Sequence, residues 1–135
     1  MCSKTARPDA KKPSGSLAIR TFAMPSNTNP NGDIFGGWIV SNMDLAGLSV
    51  AGKYARHTIT TIAIDSMVFI SPVQVGDFIC CYADLVKIGN TSITIKIETW
   101  AVNPDEANLR QVTEGVFTYV AVDEHGRPEP AIRKS

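Results

Sequence analysis

The chain has 135 residues, enough for one domain with a real core and too few for two ordinary ones. Its 44% hydrophobic content and formal net charge of +0 are those of a soluble globular protein, and exclude a disordered chain or one that coats nucleic acid. No run of about eighteen apolar residues suggests a membrane span, and the opening MCSKTARP lacks the apolar segment of a secretory signal, so an unexported, cytoplasmic protein is expected, with neither nucleic acid nor membrane as partner.

Residues 1–15 are rich in Lys, Pro and Ser, carry a positive excess from Lys4, Arg7, Lys11 and Lys12, and show no apolar period. They read as a disordered tail ahead of a single domain over 16–130, with residues 131–135 as a second tail. A short strand is expected over 17–24, followed by a loop in PSNTNPNG (25–32), where residues that favour turns are concentrated. Over 36–54 the apolar residues Ile39, Met43, Ala46, Val50 and Tyr54 recur at three- and four-residue steps, the period of a helix. Trp38, Val40, Leu45, Leu48 and Ala51 occupy its other sides, so the helix reads as buried nearly all round.

Downstream the period changes to two. Ile93, Ile95 and Ile97 alternate with Thr94, Lys96 and Glu98, and comparable strands are expected over 58–69, 78–87 and 112–122. The short connections around Pro72, Gly76 and Asp77, around Gly89 and Asn90, and over 103–108 favour antiparallel pairing. The result is an α+β protein in which the sheet covers the helix. A helix apolar on every side needs more cover than one small sheet offers, which calls for strong sheet curvature, a second subunit or both. Cys2, Cys80 and Cys81 suit neither a disulfide framework nor a metal cluster, and His57 and His125 have no second ligand at a helical spacing, so no metal is expected.

Within residues 37–52 the only ionisable side chain is Asp44. A carboxylate moved into an apolar interior must be hydrogen-bonded, protonated or facing a cavity. Ser41, Asn42 and the loop residues Asn27, Thr28, Asn29 and Asn31 are the candidate partners. Asp44 lies past the first turn, where Asp has poor helix propensity and no capping benefit. It reads either as a structural hydrogen-bond acceptor or as a general base or nucleophile. The segment GDIFGG (32–37) precedes the helix and could expose backbone N–H groups at its positive end, although paired glycines also serve plain turn geometry. It is not a phosphate-binding P-loop, since no Gly-Lys-Ser/Thr follows.

The stretch AMPSNTNPNGDIFGGWIVSNMDLAG (23–47) closely resembles the signature of the YciA-like acyl-CoA thioesterases, a hotdog family that includes cytosolic acyl-CoA hydrolases. VFISPVQVGD (68–77), GNTS (89–92) and VTEGVFTYV (112–120) extend the resemblance to about residues 17–130. It implies a hotdog fold, with an antiparallel sheet wrapped around a long central helix. It also implies a homodimer whose sheets join edge to edge with sites at the subunit boundary, commonly assembled as a trimer of dimers.

By position, Asp44 matches the family's catalytic carboxylate and Asn29 the loop asparagine that completes the site from the other subunit. The thioester carbonyl would lie against N–H groups at Gly36 and Gly37. Coenzyme A belongs to the substrate and no cofactor is implied; its pantetheine arm would run beside Phe69, Ser71 and Pro72 and its nucleotide would reach Gly89, Asn90, Thr91 and Ser92. Where relatives carry a basic residue after that glycine this chain has Asn90, leaving Lys87 or Arg127 for the phosphates. Thr91 and Ser92 read equally well as turn and strand residues, and Arg127 as a solvated charge. The competing functions are a hotdog hydratase, disfavoured by the absence of His from the helix, and a non-catalytic acyl-CoA sensor, which could dispense with Asp44.

Overall fold

Runs rich in β-branched and aromatic residues form five strands around the one long apolar helix. The computed structural model describes residues 12–103, 105 and 108–132. In chain order the elements are β1 (Ser16–Phe22), a single 3-10 turn (Pro25–Asn27), α1 (Gly36–Ala51), a second 3-10 turn (Gly52–Tyr54), β2 (Thr58–Phe69), β3 (Phe78–Ile88), β4 (Ser92–Val102) and β5 (Leu109–Val122). One sheet in the order β1-β3-β4-β5-β2 pairs all five antiparallel, and α1 touches every strand. This is the arrangement that the resemblance implies, a sheet curled round a central helix. The expected tail at 1–15 falls largely outside the described residues, as do residues 133–135. Ser14 is anchored, its hydroxyl 2.6 Å from Glu98 Oε2.

The core lies between helix and sheet. α1 buries Ile39, Met43, Ala46, Gly47 and Ala51, a stripe at three- and four-residue steps, against Ile93, Ile95 and Ile97 of β4 and Phe117 and Tyr119 of β5. The expectation of a helix buried nearly all round is not met within one chain, because a single five-stranded sheet covers one side only. Leu45 is 56% and Leu48 39% exposed on the helix, and Ile62, on the unpaired edge of β2, is 58% exposed. Burying a side chain of this size stabilises by about 1.5–3 kcal/mol. An edge strand flanked by such residues invites another strand. Bulges interrupt β2 between Thr61 and Ala63 and between Asp65 and Val68, the second containing Ser66 at φ 55°.

The connection between β2 and β3 is held by a buried carboxylate. Asp77 accepts from Gln74 N at 3.0 Å and from Arg110 Nη2 at 2.7 Å, while Arg110 Nη2 also donates to Pro72 O at 3.0 Å. The Asp77 carbonyl accepts from Ala23 N at 2.9 Å, so β1, the loop and the start of β5 converge on one residue. Gly76, at φ 96°, supplies the left-handed turn just before it. Cys81 is a free thiol buried in the core.

After β5 the chain turns back and stays attached. Glu129 N donates to Ala121 O, Ala131 N to Asn90 O at 2.8 Å and Ile132 N to Tyr54 O at 2.7 Å, so the residues after Val122 close over the end of α1. His57 Nδ1 and Glu129 Oε2, 2.8 Å apart, clasp this segment to the start of β2. The hydrogen bond to Glu129, and then its charge, raise His57 above its ordinary 6.5. A raised value means that protonation favours the folded state. The clasp therefore contributes fully below 6.5 and is lost as pH rises through the folded value. Glu129→Gln is expected to lower the melting temperature against wild type at pH 5.5 and to leave it nearly unchanged at pH 9, read by circular dichroism.

Candidate active site

Asp44 sits in the middle of α1, half-buried, facing β2 and β5. Its partners come from the sheet, not from the helix or the asparagine loop. Thr61 Oγ1 donates to Asp44 Oδ1 at 2.7 Å. The Tyr119 hydroxyl shares its proton between the Asp44 carbonyl oxygen, at 2.9 Å, and Oδ1, at 3.2 Å. Oδ2 has no partner among the described residues. Burial, and then the negative charge of Asp44, push the Tyr119 phenol well above its usual range, so it remains a donor at any working pH. Thr61 and Tyr119 carried no signal in the sequence beyond their alternation in a strand. A tyrosine at a core position does need a partner for its hydroxyl, and that was the available clue.

The loop before α1 builds a second feature. Asn29 Oδ1 accepts from Asn31 N at 2.9 Å and Asp33 N at 3.1 Å, which fixes the amide plane and leaves Nδ2 as a donor without a partner among the described residues. Asn29 N donates to Asp33 O, Phe35 N to Asn27 O and Ile34 N to Val73 O, folding the loop against residues 70–73. Between them lies a cavity of about 350 Å³ lined by Asn29, Asp33, Gly36, Phe69, Ser71 and Pro72 together with aliphatic side chains. No side chain caps α1 at Phe35, so the first-turn N–H groups keep their donor capacity where Gly36 lines the cavity. A Cβ at Gly37 would meet nothing within 4 Å, so this glycine leaves open approach to the backbone. Ser71 spends its hydroxyl on Gln111 O at 2.8 Å.

The remaining expected binding residues lie elsewhere. Lys87, Gly89, Asn90, Thr91, Ser92 and Arg127 gather at the other end of the sheet, where Thr91 O accepts from Ala121 N and Asp123 Oδ1 accepts from Arg127 N at 2.9 Å. Along β5, Phe69 pairs with Thr113 and Ser92 with Val120, seven residues apart or roughly 23 Å. Lys87, Asn90 and Arg127 are exposed. Asp44 stands eight residues along α1 from Gly36, roughly 12 Å from the cavity mouth. One chain thus brings Asn29, Gly36, Phe69, Ser71 and Pro72 together, and holds Asp44 and the 87–92 and 127 group apart from them.

Residues 31–107, more than half of the chain, match the model of the thioesterase superfamily. The chain belongs to the thioesterase superfamily. Within it, the chain is 48% identical over 122 residues to a protein of Buchnera aphidicola named an uncharacterized acyl-CoA thioester hydrolase, covering 88% of this chain and 90% of that one. It is 48% identical over 121 residues to the acyl-CoA thioester hydrolase YciA of Salmonella typhimurium, covering 87% of this chain and 91% of that one. Among solved structures it resembles a hexameric thioesterase of Yersinia pestis, with a TM-score of 0.85 and 48% identity over 90% of this chain and 99% of that one. It also resembles a hexameric broad-specificity acyl-coenzyme A thioesterase, with a TM-score of 0.87 and 44% identity over 97% of this chain and 90% of that one. That enzyme has also been solved as an aspartate-to-alanine mutant. The hotdog fold implied by the resemblance is the fold of this thioesterase-superfamily chain. Among its described residues no helix is long and apolar enough to cross a membrane, and no three His, Cys, Asp or Glu residues are grouped to hold a metal.

Asp44 meets the sheet here only because the helix comes close. A Cβ at Gly47 would lie 2.1 Å from the Tyr119 hydroxyl and 2.7 Å from Ile97 Cδ1. Alanine favours an exposed helix interior over glycine by about 1 kcal/mol. Gly47→Ala is nevertheless expected to destabilise this chain by about 1–3 kcal/mol through overpacking, measured by denaturant unfolding.

Proposed function

We infer that this protein is an acyl-CoA thioesterase, hydrolysing acyl-CoA to a carboxylic acid and free coenzyme A, with Asp44 as its reacting carboxylate. The observation that carries the assignment of Asp44 is its one-sided hydrogen bonding. One carboxylate oxygen is held by two hydroxyls and the other has no partner among the described residues, on the only ionisable side chain in a stretch of apolar helix. The names of relatives at 48% identity support the reaction class. In this reading the thioester carbonyl oxygen accepts from the amide of Asn29 and from the first-turn N–H groups at Gly36 and Gly37, where charge develops as the tetrahedral intermediate forms. Asp44 takes a proton from the attacking water, or itself attacks to give an anhydride that water then opens; in either route the carbon–sulfur bond breaks and the thiolate leaves and is protonated. Appearance of ¹⁸O from labelled water in the Asp44 carboxylate in a single turnover identifies the second route. The reading calls for no metal and no cofactor, and places the enzyme in the cytoplasm, as the resemblance to a family with cytosolic members suggests.

The site is completed, we further infer, in a homodimer joined along the free edges of β2. Antiparallel pairing of two such edges sets the 69 end of one strand beside the 58 end of the other. The cavity near Phe69 in one protomer would then approach Asp44 and the 87–92 turn of its partner, closing the distances that one chain leaves open. Leu45, Leu48 and Ile62 would be covered by the same contact. A trimer of such dimers is part of the proposal, two similar structures being of hexameric thioesterases.

The test is thiol release from acyl-CoA esters of increasing chain length. Asp44→Asn is expected to lose about 10³-fold or more of kcat, and Asn29→Ala about 10²-fold. Oligomers assembled from both variants should regain activity, because one site in each mixed dimer keeps both residues. Absence of release from every ester by the wild type, with coenzyme A still bound, would replace hydrolysis by a sensor role. Absence of rescue would remove the shared site.

A further inference from the structure

We propose that Tyr119 is a positioning residue for hydrolysis: with Thr61 it clamps Oδ1 of Asp44, so that Oδ2 is the oxygen presented to the water or to the thioester carbon. The inference rests on the reading of Asp44 as the reacting carboxylate.

Thr61 and Tyr119 are directly opposite one another in the β2–β5 ladder. Residues opposite each other across an antiparallel pair project from the same face of the sheet, so the two hydroxyls reach the helix side by side. Both end on a single oxygen of a single residue. A buried tyrosine that served only to satisfy its own hydroxyl would need one acceptor. This one contacts the main-chain oxygen and the carboxylate of Asp44 together, which fixes the backbone position and the side-chain torsion at once.

The surroundings hold Tyr119 to that task. Its ring stacks on Phe117, with centroids 6.4 Å apart and planes inclined by 16°. It is fully buried. Gly47, one turn beyond Asp44, vacates the space that the hydroxyl occupies. On β2 the register breaks immediately after Thr61, so the paired stretch ends at the residue that completes the clamp. With Oδ1 accepting from two donors, rotation of the carboxylate would break both bonds, and Oδ2 is left as the basic or nucleophilic atom in a fixed direction.

Tyr119→Phe removes the hydroxyl and keeps the ring; Thr61→Val removes the other hydroxyl at nearly constant shape. In the full-length enzyme, Tyr119→Phe is expected to lower kcat for acyl-CoA hydrolysis about tenfold with KM unchanged, a loss in line with a misdirected catalytic group. Because either hydroxyl alone still restrains Oδ1, the double variant should lose more than the product of the two single losses. In an Asp44→Asn background, Tyr119→Phe should cost nothing further. A folded Tyr119→Phe enzyme with wild-type kcat, or one whose fractional loss is the same with Asp44→Asn, overturns the proposal and leaves Tyr119 a tether of helix to sheet. If Tyr119→Phe does not fold, ring-fluorinated tyrosine at position 119 keeps shape and hydroxyl and alters donor strength alone: a change in kcat without KM supports the proposal, and no change defeats it. Full activity in Asp44→Asn itself would instead remove the underlying reading of Asp44, whatever Tyr119 does.

Discussion

A carboxylate on an apolar helix has to be solvated by something other than water, and the architecture around α1 follows from meeting that demand. Neither Ser41 nor Asn42, its neighbours on the helix, donates to Asp44; Asn42 Nδ2 instead donates to Trp38 O. The donors come from β2 and β5, so the helix must lie close enough to the sheet for a tyrosine hydroxyl to touch its backbone. Small residues on the buried stripe, Ala46, Gly47 and Ala51, make that approach possible. Leaving a buried charge short of donors costs several kcal/mol, whereas the small residues give up only the apolar area of the side chains they lack. The spacing between helix and sheet is therefore set by polar satisfaction as much as by apolar packing.

The same helix has two sides with different obligations. The side toward β4 and β5 is closed by large aliphatic and aromatic residues. The side carrying Leu45 and Leu48 is open in one protomer, and the edge strand β2 carries hydrogen-bonding groups that lack a neighbour in the sheet. On the proposed dimer these two deficits cancel against one another. The apolar residues that make an isolated chain a poor folding unit are then those that bring Asn29 of one protomer toward Asp44 of the other, so assembly and catalysis would be coupled through shared contacts.

Much of this was legible in the chain because local periods encode it. Ile39, Met43 and Ala46 marked the helix, and its start at Gly36 was fixed by the turn-rich residues before it. Its end was less legible: residues 52–54 tighten into a 3-10 turn, a change too small to alter an apolar pattern. Asp44 stood out as the one charge in an apolar run. Its partners did not, since which threonine of β2 faces which tyrosine of β5 is a matter of ladder register between distant segments. For the same reason the sequence could not separate Phe69, Ser71 and Pro72 from the 87–92 group; both flank strands, and only the order of strands in the sheet shows that they lie at opposite ends.

The break in register just after Thr61 bears on how this protein can vary. Side chains alternate between faces along a strand, so gaining or losing one residue between Thr58 and Thr61 would swing the threonine hydroxyl to the far face of the sheet. A length change beyond the bulge, where the ladder has already been reset, does not carry that consequence. Thr58, Ile59 and Thr60 can therefore vary in identity but not in number, whereas a length change after Ile62 leaves the Thr61 hydroxyl on the helix side. Divergence of the apolar seam, by selection or by design, is channelled into the half of the strand that does not hold the carboxylate.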